Sequence, residues 1–227
     1  MAQMGFLSLA LAAALAAGCN TAGQNDLRAD DSAPVSTSAE KTATDADLNF
    51  VSDVAVASMA EVELGRMAIE NSENPSVKAF GQQMVDDHTK AADELKALAA
   101  QHHLTLPAQL DDDHRALRDK LAPLQGASFD QQYIDAMVNG HEDVVNAFES
   151  RLDSARLADW KARLTEPNAP RADASRPADE LVPEKSDNPV TMSLNQFAAK
   201  TYPTVRRHLE SARNIDQALS KSRVPTN

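Results

Sequence analysis

The chain has 227 residues, 42% of them hydrophobic, enough for one ordinary domain with tails or two small ones. Alanine fills 40 positions against 7 glycines and 4% aromatics, a mix that lacks the aromatic, β-branched and turn residues of an all-β sandwich. A net charge of −12 argues against a nucleic-acid partner, and the single cysteine, Cys19, excludes an intrachain disulfide, an iron–sulfur cluster and a cysteine-ligated zinc site.

Phe6 to Gly18 is an almost unbroken apolar run. It is too short for a membrane-spanning helix, which needs ~20 residues, and has the length of a signal-peptide core. The sequence Leu15-Ala16-Ala17-Gly18-Cys19 resembles the lipobox of bacterial lipoproteins. That resemblance implies removal of residues 1–18, a lipid on Cys19 and, with Asn20 following, sorting to the outer membrane on its periplasmic side. The alternative is an ordinary secretory signal and a soluble periplasmic or secreted protein. Residues 19–46 are rich in Ala, Ser, Thr, Asp and Asn and bury too little to offset ordering entropy, so they read as a disordered tether.

From residue 47 to 220 apolar residues recur at helical spacing. The first helix is expected over about 47–71, with Phe50, Val54, Ala57, Leu64 and Ala68 on one face. Asn74-Pro75 reads as an N-cap and a first-turn proline opening the second helix, which fades near His102-His103. The connector Leu104 to Ala127 holds a short helix over Asp111 to Leu121, closed by Pro123 and Gly126. Ser128 with Gln131 reads as a capping box for the third helix, expected to continue through Trp160 to Leu164. A Pro-rich insert, about 165–191, separates it from a fourth helix over about Ser193 to Ser220, in which Pro203 predicts a kink. Four helices of this length make an all-α four-helix bundle. A tight first loop and a long middle connector permit the one-crossover order of ferritin-like folds. Residues 221–227 form a tail.

Each apolar stripe is interrupted near its middle by one ionisable residue: Glu61, His88, His141 and His208. Each lies three or four residues from apolar neighbours on the same face, so all four are expected to meet near the mid-plane of the bundle. Neutral imidazoles and a carboxylate around one centre suit zinc, copper, nickel or iron better than calcium or magnesium. A di-iron site fits less well, because Val85, Val138 and Val205 stand where Glu-x-x-His pairs would need acids. Asp86, Asp87 and Glu142 are expected to point away. The other reading is a hydrogen-bonded network that fixes helix register. His102, His103 and His114 read as surface or helix-end residues, and Met59 and Met67 as core filler. No phosphate loop, nucleophile elbow or haem motif is present, so the chain leans away from an enzyme.

The stretches "VKAFGQQMVDDHTKA" (Val77 to Ala91), "FDQQYIDAMVNGHED" (Phe129 to Asp143) and "YPTVRRHLESA" (Tyr202 to Ala212), with Ala60 to Gly65, resemble domain of unknown function 4142. That is a bacterial family of exported proteins, often lipoproteins, with an expected ferritin-like bundle. On its pattern Glu61, His88, His141 and His208 match motif positions. The resemblance implies fold and export. The readings that follow are an envelope-anchored structural or partner-binding protein, or a metal-binding or metal-dependent redox protein using the Glu/His cluster. A membrane reached through the lipid and an unidentified protein are the expected partners.

Overall fold

The computed structural model describes residues 42–165 and 181–222. Cys19, the expected signal and most of the tether, the prolines of the insert up to Pro177 and residues 223–227 lie outside them. The described residues form helices joined by short irregular segments, and no helix among them is long and apolar enough to cross a membrane.

Helix α1 (Asp45–Asn71) starts two residues earlier than the periodicity predicts, because Thr44 and Asp47 form a reciprocal capping box. Three residues separate it from α2 (Pro75–Gln101), where Asn74 Oδ1 accepts from the backbone N–H groups of Ser76 and Val77, as the Asn-Pro signal predicts. The two helices touch at their glycines. A Cβ on Gly81 would lie 2.8 Å from the Ala68 Cβ and from the Gly65 carbonyl oxygen, so this crossing admits only hydrogen at that position. The short helix α3 (Asp112–Leu121) is capped by Asp111 and packs on α1.

Helix α4 (Gly126–Glu149) corrects two expectations. Ser128 does not cap it: the helix opens at Gly126, whose φ of +53° is open to glycine, and Ser128 is an exposed residue of the first turn. Nor does it run on to Leu164. It stops at Ser150, and a separate helix α5 (Ser154–Thr165) begins after Asp153, whose carboxylate accepts from the Arg156 N–H. The break is set by burial. The Arg151 guanidinium turns inward to Asp47 Oδ1 at 2.5 Å and the Ala46 carbonyl at 2.6 Å, while Leu152 enters the core. Residues 181–184 then run alongside, with the Asp153 N–H donating to the Val182 carbonyl and the Glu184 N–H to the Arg151 carbonyl. The expected insert therefore ends earlier, at α6 (Pro189–Ser222), where Asn188 Oδ1 accepts from the Val190 N–H. This helix continues through Pro203.

Contacts fix the directions of the long helices. Gly65 meets Gly81, Phe50 meets Phe148, Lys200 pairs with Glu94, and Tyr202 donates to Glu149 while Gln131 donates to Asp216. Helices α1 and α6 thus run one way and α2 and α4 the other, so the α2–α4 connector traverses the bundle. Two apolar cores result. One gathers Phe50, Leu95, Phe148, Leu194, Phe197 and Tyr202; the other gathers Leu64, Phe80, Met84, Phe129, Tyr133 and Met137. In α1, α2 and α4 the interrupting ionisable residue falls in a layer between the helix's contributions to these two cores, and on α6 His208 stands at the end of the first core, next to Leu209 and ahead of Ala212 of the second.

Candidate metal centre

That intermediate layer brings three of the four expected residues together. His88 on α2, His141 on α4 and His208 on α6 are buried, and one ring nitrogen from each lies within 4.8 Å of the others. Their ring centroids form a nearly equilateral triangle with sides of 5.7, 5.4 and 5.5 Å. Each reaches the centre because it occupies the helix stripe that otherwise carries core residues, three or four positions from Met84, Met137 and Val205.

Hydrogen bonds orient two of the rings. His141 Nδ1 donates to the Met137 carbonyl at 2.8 Å, and His208 Nε2 donates to Asp87 Oδ2 at 2.8 Å. Those bonds assign the tautomers, leaving lone pairs on His141 Nε2 and His208 Nδ1. Among the described residues neither atom has a hydrogen-bond partner, and neither ring nitrogen of His88 has one. Buried polar atoms are normally hydrogen-bonded, so this many orphaned nitrogens in one place require a ligand or water to satisfy them.

The electrostatics favour the ligating form. Burial, then the neighbouring His141 and His208, hold His88 well below the usual imidazole range. Burial lowers His141 to about 4. It also lowers His208, although the Asp87 carboxylate pulls in the opposite direction. All three rings are therefore neutral near pH 7, the state in which imidazole binds a metal. The donor set, nitrogen only, from three helices and out of bulk water, fits a transition ion with room for a further ligand.

Glu61 departs from the expectation that it faces the same centre. Its Oε1 stands 3.6 Å from His141 Nδ1, the edge already committed to Met137, so it lies behind His141 rather than in the triangle. Its other oxygen has no hydrogen-bond partner among the described residues, and burial raises the carboxyl to about 8. The Tyr133 hydroxyl is likewise buried without a hydrogen-bond partner among the described residues; burial, then Glu61, keeps its proton on.

Sequence reasoning missed Asp87. An ideal helix turns it about 100° from His88, but α6 packs alongside and brings His208 to it, a contact no single-helix pattern contains. The remaining histidines stay outside. His102 Nε2 is 3.0 Å from Ser193 Oγ, His114 pairs with Asp111, and His103 is exposed in a left-handed turn after α2.

No curated protein and no solved structure matches the chain. One family model does, over residues 32–176, a span that holds Glu61, His88 and His141 and stops short of His208. With that match covering more than half its length, the chain belongs to the family described as Domain of unknown function (DUF4142).

Proposed function

We propose that this protein is a transition-metal-binding helical bundle of the cell envelope, with His88, His141 and His208 as the protein ligands and zinc, copper, nickel or iron as the candidate ions. The observation that carries the reading is the convergence of three buried imidazoles, each with a ring nitrogen that has no partner among the described residues. Hydrogen bonds to Met137 and Asp87 support it, because ligating histidines characteristically use their second nitrogen in this way. A bound ion would supply Lewis acidity or redox chemistry, according to its identity. The chain supplies orientation and exclusion of water.

The antiparallel neighbours and the crossing connector support a ferritin-like arrangement, although the donors are histidines rather than the carboxylate-rich set of di-iron bundles. Cleavage before Cys19 and a lipid on that residue would hold the domain at the membrane. Replacing Cys19 with serine should then move the protein from the membrane fraction to the soluble one.

Elemental analysis of protein purified without chelators tests the metal reading. One equivalent of a transition ion is expected in the wild type and none in the His88→Ala/His141→Ala/His208→Ala variant. A wild type that carries no stoichiometric metal, and whose melting temperature ignores added zinc, copper, nickel and iron, overturns it.

A further inference from the structure

Behind His141, away from the histidine triangle, a cavity of about 270 Å³ opens between α1, α3 and α4. Its size lies near the lower end of small-molecule pockets, ~300–1,000 Å³. The walls are apolar and narrow side chains leave the space: Ala57, Ala60, Val144 and Ala147. At the inner end is Glu61, 8% exposed, with Oε2 unpartnered and Oε1 beside the open Gly140 position, where a Cβ would come no nearer than 3.9 Å. Around the mouth stand three exposed carboxylates, Asp53, Asp111 and Asp143. Asp111 is tied to His114 and to the start of α3, whereas among the described residues no lysine or arginine lines the cavity.

These features select by charge and by shape. A mouth of carboxylates repels anions and concentrates cations. Apolar walls favour a hydrocarbon body. A buried carboxyl oxygen lacking a hydrogen bond is a costly feature that a ligand N–H would relieve. We propose that this cavity is a binding site for a small alkylammonium, its nitrogen donating to Glu61 and its chain of about four to six carbons lying along the alanine and valine walls. The site is separate from the histidine triangle, and ligand binding there needs no metal.

Calorimetric titration of the chelator-treated full chain with n-hexylammonium, 1-hexanol and hexanoate tests the assignment. One saturable site for hexylammonium is expected, with hexanol at least tenfold weaker and no binding of hexanoate. Glu61→Gln keeps the shape and removes the acid that a bound ammonium would hold ionised. It should weaken hexylammonium at least tenfold and leave hexanol within about twofold. Asp53→Asn/Asp143→Asn, both on the exposed rim, should weaken hexylammonium severalfold at low salt and by less at high salt. Ala57→Leu fills the cavity and should abolish binding of both the ammonium and the alcohol while the helical circular dichroism is retained. The proposal is overturned by any of three results: no saturable hexylammonium binding, hexanoate binding as tightly, or a Glu61→Gln protein that binds hexylammonium as the wild type does. Since every titration is on metal-free protein, failure here leaves the histidine site untouched, and absence of metal in elemental analysis leaves this site untouched.

Discussion

At the level of single residues, His141 and Glu61 pull the metal-free protein in opposite directions as pH changes. The His141 pKa falls from 6.5 to about 4 on folding, so the unfolded chain takes up the proton first. Its contribution is complete above about pH 6.5 and is lost as pH falls towards 4; two to three units correspond to on the order of 3 kcal/mol. His88 and His208 shift the same way. Glu61 rises from 4.5 to about 8, so its contribution is complete below pH 4.5 and drains away as pH climbs to 8. Urea unfolding of metal-free protein from pH 4 to 8 should therefore show an acid limb that flattens in His141→Asn and an alkaline limb that flattens in Glu61→Gln. Asp87 acts through His208. Asp87→Asn should weaken metal binding about 10- to 100-fold in competition with a chromophoric chelator, while the helical content is unchanged.

Among the elements, the tightest constraint is the α1–α2 crossing. Gly81→Ala gains helix propensity yet drives a methyl against the Ala68 Cβ and a backbone oxygen, so a net loss of about 1–2 kcal/mol is expected in chemical denaturation. The α4–α5 break rests on a buried ion pair. Burial alone would raise the Asp47 carboxyl; hydrogen bonds from Arg151, Thr191 and Thr44 outweigh it and hold the group at about 2. Arg151→Ala leaves that carboxylate buried without its cation, and the expected cost is about 3–5 kcal/mol, read from the same denaturation curves. These elements also mark how far a sequence can be read. Helix α2 was legible because Asn74-Pro75 is a local signal. The same signal at Asn188-Pro189 marks the start of α6, and it was obscured by the prolines around it. Ser128 misled because a side-chain cap competes with a glycine turn two residues earlier. The end of α4 was not legible, because Arg151 is called inward by a partner 104 residues away in the chain.

Across the whole molecule, the histidine layer was legible for a simple reason: a polar residue inside an apolar stripe stands out at helical spacing. Whether four such residues share one centre depends on how the helices rotate against each other, and that rotation put Glu61 behind His141 and brought Asp87 to His208. Metal binding at this layer should couple to global unfolding. With free metal at a thousand times its dissociation constant the gain is about 4 kcal/mol, and the melting temperature should rise by on the order of 10 °C and fall back on adding a chelator. The parallel course of α2 and α4 carries one more consequence. The α1–α2 hairpin closes over a short loop and brings only His88, while His141 and His208 arrive with the α4–α6 pair, after the crossing connector has been drawn across. A chain emerging from synthesis thus presents isolated imidazoles, each a weak binder, until its last pair of helices docks. On the proposed reading ion capture would be the closing event of assembly, and a loaded centre would record that the two halves of the molecule have met.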